Sequence, residues 1–591
     1  MKSQKEEKMK VKPLIQLIEI NAKHVHTNLA LRYFRALLNQ EGFSPDLCSL
    51  TINQEKELHM ARVLGTPAPD GRILLCSVYI WNVVYMLHLA KSIKQMEPET
   101  LIVFGGPEVS FHNADWLLQH PYVDFIVAHE GEGFISELQE ALHTDNPLQT
   151  LRGYRGQMVT FPVFPLELLP LGYEANEFRA LHILYYEASR GCPYRCAFCM
   201  SAEGVALRYK TLSQVEAELQ AFVQYPNKIV KFIDRTFNMP PTRAKELLEI
   251  FAKLDNGTVT FHLEVSPQGL SDDFIEAVSH LRRGLVQFEV GIQSTNKAAL
   301  EAINRTMAPK ELDQIKKLCA LENCHTHVDL IAGLPEDTLP LFLQSIDMVL
   351  DLKPDHLQLG MLKLLHGAPL TKMAAHYGYK YDLEPPYTFF SHNLLSYTEK
   401  LRLLSIEEGL ERLHNAEKWP LSLAFLHNAL NQPHLFYEGV GSKIREQALL
   451  GIKLSLDQVL QLSLEVIEAF NPPDFIENSK TLHGPYSSGY ELSRQFKDFV
   501  AIESFMGDIS QVQILKEYAI ETNNLAHDLI RHLQSIQQAP FLDGTIKHLI
   551  KRYRAIIVSS QAYKSAKVLG ILGAPTRAVD SNAFATTNQG V

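Results

Sequence analysis

Leu181-His-Ile-Leu-Tyr-Tyr-Glu-Ala-Ser-Arg190-Gly-Cys192-Pro-Tyr-Arg-Cys196-Ala-Phe198-Cys199 decides the reading of this chain. A strand-like run over 182–188 passes straight into a loop that holds three cysteines within eight residues. Three thiolates this close together can hold iron or zinc, both of which favour sulfur. A closed structural zinc site wants four protein ligands, and no Cys or His follows within the next 30 residues. In the zinc reading a long-range fourth ligand comes from His262 or Cys319. Around a four-iron cluster, three cysteines instead leave one iron open to a substrate or cofactor. The remaining cysteines, at 48, 76, 319 and 324, are scattered and read as small buried hydrophobes, too few for a disulfide scaffold.

Downstream, strand candidates recur at 228–233, 259–264, 285–291, 326–331 and 357–362. Helix signals separate them. Ser213 with Glu216 is a capping-box pattern, and Ala244, Leu247, Leu248, Phe251 and Leu254 share one helical side. Six strands are fewer than the eight of a closed barrel, so an open (β/α)6 partial barrel is expected. Upstream, strands at 14–20, 73–80, 101–104 and 123–127 alternate with helical segments. That rhythm predicts an open, mostly parallel, Rossmann-like sheet. Between the two series, Tyr154, Phe161, Phe164 and prolines at 162, 165 and 170 suggest a linker packed on its neighbour. After 395 strands become rare and apolar residues recur at helical spacing, as in Leu401, Leu404, Leu410 and Leu413. The expected α/β organisation is a Rossmann-like domain over 1–145, a linker over 146–180, and the partial barrel over 181–395. A helix-rich domain over 396–565 and a flexible tail over 566–591 complete it.

Composition bounds the rest. The 591 residues are 46% hydrophobic and carry a formal charge of -11, which argues against a dominant nucleic-acid surface. No apolar run approaches the ~20 residues that span a bilayer, and the charged start lacks a signal-peptide core. The expectation is a cytoplasmic protein that does not enter a membrane.

The spacing Cys192-x3-Cys196-x-Phe198-Cys199 resembles the cluster loop of radical S-adenosylmethionine (SAM) enzymes. The resemblance implies a 4Fe–4S cluster on the three cysteines, with SAM bound at the open iron and cleaved by one electron to a 5′-deoxyadenosyl radical. It also implies an electron donor such as flavodoxin or ferredoxin. By the same resemblance, SAM contacts fall on Phe198 and on Asp234, Arg235 and Asn238 after the second strand. Further contacts fall on Glu264, on Glu289 and Gln293 in Phe288-Glu-Val-Gly-Ile-Gln-Ser294, and on Asp329 and Gly333 in Asp329-Leu-Ile-Ala-Gly-Leu-Pro-Glu336. The family often has Gly-Gly-Glu where this chain has Asp234-Arg-Thr-Phe-Asn238.

The upstream region resembles the B12-binding domain found in many radical SAM enzymes. The matching pieces each follow a strand. They supply Asn21, His24 and Asn28, then Ser77, Tyr79, Trp81 and Asn82. Gly105, Gly106, Pro107 and Glu108 come next, and Glu130, Gly131 and Glu132 close the series. A crevice at one sheet edge can collect them all. The resemblance implies cobalamin there, with glycines 105 and 106 close to the ring or its tail and Tyr79 or Trp81 over an apolar face. The Asp-x-His-x-x-Gly motif that supplies an axial histidine is absent, so cobalt is expected without a histidine ligand, His24 being the alternative. The order of domains resembles the B12-binding radical SAM subgroup with a dedicated C-terminal helical domain.

The function expected from this resemblance is a cobalamin-dependent radical methyltransferase acting on an unactivated centre of a small molecule. Tyr377, Tyr387 and Gly367-Ala-Pro-Leu370 are expected to border the substrate. Two other readings stand beside it: a cyclase, rearrangement or oxidation enzyme with the same cofactors, and a cofactor-binding module without catalysis.

Overall fold

The computed structural model describes residues 12–471 except 113–114 and 203–205, together with scattered positions between 488 and 500. The expected helical domain past 500 and the tail from 566 lie outside the described residues. The chain divides into two compact units, one of residues 1–354 and 358–400, the other of 355–357 and 401–591.

The first unit holds two six-stranded sheets, except for His356 and Leu357 at the start of the last strand. One is built from β1 (Leu14–Asn21), β2 (Asp46–Thr51), β3 (Arg72–Ser77), β4 (Leu101–Gly105), β5 (Phe125–Val127) and β6 (Met158–Val159) in the order β2-β1-β3-β4-β5-β6. Its neighbouring strands run parallel throughout. β3 and β4 are almost wholly apolar and buried because helices cover both faces. Leu89, Ile93, Leu74, Ile102 and Phe104 lie in one core with them. Asn28 caps helix α1 (Leu29–Gln40), its side-chain oxygen accepting from Leu31 N, and so ends the β1 loop at a fixed point.

Two strands of this sheet depart from the expected set. β2 is an edge strand with the mixed sequence Asp-Leu-Cys-Ser-Leu-Thr, so it lacks the dense apolar signal of its neighbours. β6 is two residues long and comes from the stretch expected as linker. That stretch is built into the fold: Phe161 packs on Phe134, and Tyr173 on Phe178 and Phe222.

The second sheet contains β7 (Ile183–Tyr186), β10 (Ile229–Phe232), β11 (Thr260–Val265), β12 (Val286–Gln293), β13 (His325–Ala332) and β14 (His356–Met361). Their order, β14-β13-β12-β11-β10-β7, follows the chain step by step, as in the expected partial barrel. A separate antiparallel pair, β8 (Ser189–Arg190) with β9 (Arg208–Tyr209), closes the base of the cysteine loop.

Four helices are described in the second unit, over Tyr397–Arg412 (which begins in the first), Pro420–Ala429, His434–Glu446 and Leu456–Glu468. Two glycines set one crossing. A Cβ on Gly441 would lie 1.8 Å from the Ser405 carbonyl oxygen, and one on Gly409 would lie 2.2 Å from that of Tyr437. The helices therefore meet backbone to backbone. Gly441→Ala is expected to destabilise this unit by about 2 kcal/mol, although alanine favours an isolated helix by about 1 kcal/mol. Urea unfolding of the full chain checks this, and an unchanged or raised midpoint would refute the crossing.

Candidate active site where the two sheets of the first unit meet

The cysteine loop is fixed by its backbone. Ala197 N donates to Ile303 O (3.0 Å), Leu370 N donates to Ala197 O (2.7 Å) and Cys199 N donates to Cys196 O (3.0 Å). Asn304 Nδ2 reaches the Arg195 carbonyl at 3.3 Å. Cys196 is buried, whereas Cys192 and Cys199 are half-buried. Cys192 Sγ lies 3.4 Å from Thr236 Oγ1, and Arg305 Nη1 donates to Cys196 Sγ at 3.5 Å. Burial pushes the Cys196 thiol up, and the Arg305 guanidinium opposes that shift. Among the described residues no three His, Cys, Asp or Glu side chains are already drawn together as a metal site. The loop's donor set, three thiols beside a cation, nonetheless suits a sulfur-bound cluster.

Arg305 was not singled out from the sequence. Its Nη2 donates to Gly291 O at 2.7 Å, and its buried Nε has no hydrogen-bond partner among the described residues. Gln293 presents a second such atom, Oε1, from a left-handed backbone position with φ 71°. A free donor on Arg305, which reaches Cys196, and a free acceptor on Gln293, close to the Gly291 backbone that Arg305 holds, are a chemistry that fits a polar cofactor such as SAM.

Two central barrel strands, β11 and β13, alternate strictly. Phe261, Leu263 and Val265 are buried, while His262 and Glu264 are half-buried; Val328 and Leu330 alternate with His327 and Asp329 in the same way. A parallel sheet covered on both faces reads as continuously apolar, so this alternation marks a face open to a lumen. The register places Lys231 beside His262, Glu264 beside Glu289, and Glu289 beside His327. His262 Nε2 lies 3.0 Å from Glu289 Oε2, and Lys231 Nζ lies 3.5 Å from the same oxygen. The His262 hydrogen bond, helped by Lys231, holds Glu289 down to about 2. Burial raises the carboxyls of Glu264 and Asp329. Burial alone would lower His327, but the Asp329 carboxylate 3.1 Å away raises it overall. His262, proposed above as a distant zinc ligand, is turned to Glu289.

Other expected SAM contacts serve the scaffold. Asp234 is buried and accepts from Ala188 N (3.0 Å) and Ser189 Oγ (2.5 Å). Asn238 is buried and exchanges two hydrogen bonds with the Ser266 backbone. Their side chains pin the strand ends. Arg235 is exposed, Phe198 is half-buried in the cysteine loop, and Gly333 lies under the Phe389 ring.

The expected cobalamin residues gather at the carboxyl edge of the first sheet, beside the β1/β3 switch in strand order. Asn28 Nδ2 donates to Ser77 Oγ at 2.8 Å. Tyr79 and Trp81 stack with ring centres 4.3 Å apart, and Trp81 is 43% exposed. Asn21 ends β1, and His24 is exposed in the following turn. Asn82 spends its side chain on the backbones of Ile20, Ser77 and Tyr79. Gly105 ends β4; Gly106, at φ +111°, turns the chain where a Cβ would lie 2.6 Å from the Val78 carbonyl. Its glycine is thus required by the protein's own backbone. Pro107 follows in the same turn.

The acidic members of this set face the barrel. Glu108 is buried against the Tyr387 hydroxyl. Glu130 and Glu132 pair with Arg190, Glu130 also with Arg208, and Gly131 abuts Phe34. Tyr387 and Gly367, expected at a substrate border, pack on Glu108 and Phe111 of the first sheet's loops. His26 Nδ1 meets Tyr185 of β7 at 2.8 Å, which brings the β1 loop to the barrel mouth.

Residues 15–139 match the B12 binding domain and residues 186–349 match the radical SAM superfamily. The chain thus carries a B12-binding domain followed by a radical SAM domain. Residues 375–478 of this B12-binding radical SAM protein match a domain family of unknown function, DUF4080. It is 28% identical over 325 residues to 2-(S-pantetheinyl)-carbapenam-3-carboxylate methyltransferase of Streptantibioticus cattleyicolor, covering 49% of this chain and 46% of that one. It is 29% identical over 336 residues to the cobalamin-dependent radical SAM methyltransferase TokK of Streptomyces tokunonensis, covering 52% and 48%. The matches thus span about half the length of these curated relatives. The fold is shared with the radical SAM methyltransferase TsrM of Kitasatospora setae, with a TM-score of 0.51 at 16% identity over 64% of this chain and 80% of that one. Among the described residues no helix is long and apolar enough to cross a membrane.

Proposed function

We propose that this protein is a cobalamin-dependent radical SAM methyltransferase acting on an unactivated centre of a small molecule. The observation that carries the reading is the join within the first unit: loops from the B12-binding sheet reach the base of the cysteine loop through Glu130 with Arg190 and Arg208. When bound, a 4Fe–4S cluster and SAM supply a radical that removes a substrate hydrogen, and methylcobalamin supplies the methyl group.

The chain's own residues have separate parts. Cys192, Cys196 and Cys199 hold the cluster. Arg305 Nε and Gln293 Oε1 offer buried hydrogen bonds to SAM beside it. The stacked Tyr79–Trp81 pair presents an apolar flank for a corrin. The lumen groups Lys231, Glu289 and His327 orient a polar substrate, since each can donate or accept a hydrogen bond there. A flavodoxin or ferredoxin supplies the electron, in the cytoplasm, and nucleic acid is not the substrate.

Anaerobic protein loaded with iron and cobalamin, given reductant, SAM labelled in its methyl group and fractions of a cell extract, tests this. The expected result is 5′-deoxyadenosine and S-adenosylhomocysteine accumulating together, with label in a new product. Deoxyadenosine accompanied by an unlabelled product points to the cyclase or rearrangement reading. Absence of SAM cleavage with every fraction refutes both.

A further inference from the structure

Arg190 and Arg208 are cross-strand partners in the β8–β9 pair, and between them runs the whole cysteine loop. Like charges directly opposite one another on antiparallel strands repel. Here one carboxylate separates them: Glu130 Oε2 takes Arg190 Nη1 at 3.1 Å, and its other oxygen takes Arg208 Nη2. Glu130 sits in the loop after β5, on the edge of the first sheet where the B12-domain loops collect. The Arg190 guanidinium is then filled by two more carboxylates. Its Nη2 donates to Glu132 Oε1 at 2.8 Å, and Nε and Nη2 donate to the two oxygens of Glu187 at 2.8 and 2.7 Å. Glu132 and Glu187 are buried, at 3% and 4% exposure. A planar guanidinium holding three carboxylates has a fixed orientation, which a flexible ammonium would not give.

We infer that Arg190, clamped through Glu130 and Glu132, is a positioning residue that sets the placement of the cysteine loop relative to the B12-binding loops. The clamp grips both ends of the loop from the domain that holds the other cofactor. It rests on the function proposed above for its purpose, because only with both cofactors does their separation matter. Its contacts stand independently of that function. Among the polar networks of the described residues it joins the base of the cysteine loop to a B12-domain loop expected to bind cobalamin.

Two measurements on the full chain test it, using Glu130→Gln and, separately, Arg190→Lys. The first needs no cofactor. Amide hydrogen exchange of the protein as purified is expected to quicken at least about tenfold in a peptide covering 187–200, with β1, β3 and β4 unchanged. Unchanged exchange in that peptide overturns the clamp. The second uses anaerobic protein carrying the reduced cluster and cob(II)alamin, and reads the spin–spin coupling between them by electron paramagnetic resonance. A positioning role predicts an altered coupling in both variants. An unaltered coupling, with stability alone reduced, overturns it and leaves a structural contact. If the native protein shows neither cofactor signal, the proposed function fails while the exchange measurement still decides the clamp. Should Arg190→Lys not fold, Glu130→Gln carries both measurements, since it keeps Glu132 and Glu187 on the guanidinium.

Discussion

Cys196→Ser is expected to lower reductive SAM cleavage by a factor of about 1,000 or more, equivalent to about 4 kcal/mol of lost barrier lowering. Serine offers a hard, mostly protonated oxygen where iron–sulfur chemistry wants a thiolate. Cys196 is the middle cysteine and is buried, so no water-exposed neighbour can swing in to replace it without moving the loop. The loop itself is expected to survive. Ala197 holds Ile303 and Leu370 through its backbone, and neither hydrogen bond involves the thiol. The melting curve of the metal-free chain is therefore expected to stay within the ordinary range for a mild buried substitution. Iron content after anaerobic reconstitution, the rate of 5′-deoxyadenosine formation and the melting midpoint form one experiment. Retained iron with retained cleavage would show that Cys196 is not a cluster ligand. Lost iron with a collapsed melting transition would show that the loop depends on the thiol for its fold.

The contrast between backbone and side chain also explains what was legible in the sequence. All six barrel strands were visible, because each is a short stretch of apolar residues at alternate positions bounded by turn residues. β2 was not, because an edge strand needs no dense apolar run, and β6 was not, because two residues carry no period. Functional reading met a different limit. Glu108, Glu130, Glu132, Asp234 and Asn238 lie at the strand ends where ligands gather, yet their side chains meet protein partners. A polar residue at a strand end signals a buried bond to be made, without saying with whom. Lys231 and His327 were missed, though Phe261-His-Leu-Glu-Val265 and His327-Val-Asp329 contained the signal. Polar alternation in strands that must pair in parallel implies one uncovered face, and counting it would have exposed the lumen. Arg305 left no such trace. It lies beyond the short helix Lys297–Ala302, and only the tertiary fold brings it to Cys196 and Gly291.

Asp234 is expected to make the folded chain less stable as pH rises from about 4 to about 7. Burial pushes its carboxyl up to about 7 from an ordinary 3.8, against the two hydrogen bonds from Ala188 and Ser189. A raised acid pKa means that, inside this window, the folded state keeps a proton the unfolded chain has released. Stability then falls with each added pH unit by up to about 1.4 kcal/mol, and the whole window is worth at most about 4 kcal/mol. Below the window both states are protonated, and above it both are ionised, so the slope vanishes at each end. Glu289, held down to about 2, contributes with the opposite sign and only at lower pH, where its stabilisation is lost as it protonates. Asp234→Asn separates these effects. The amide cannot ionise, its oxygen can still accept from Ala188 N, and its NH2 can donate to Ser189 Oγ. Urea unfolding of both chains at intervals from pH 4 to 7.5 is expected to show the native chain losing stability relative to the variant as pH rises. The gap is expected to grow through the window and then level off. Parallel curves would mean that Asp234 ionises normally, with its charge compensated beyond the two donors described.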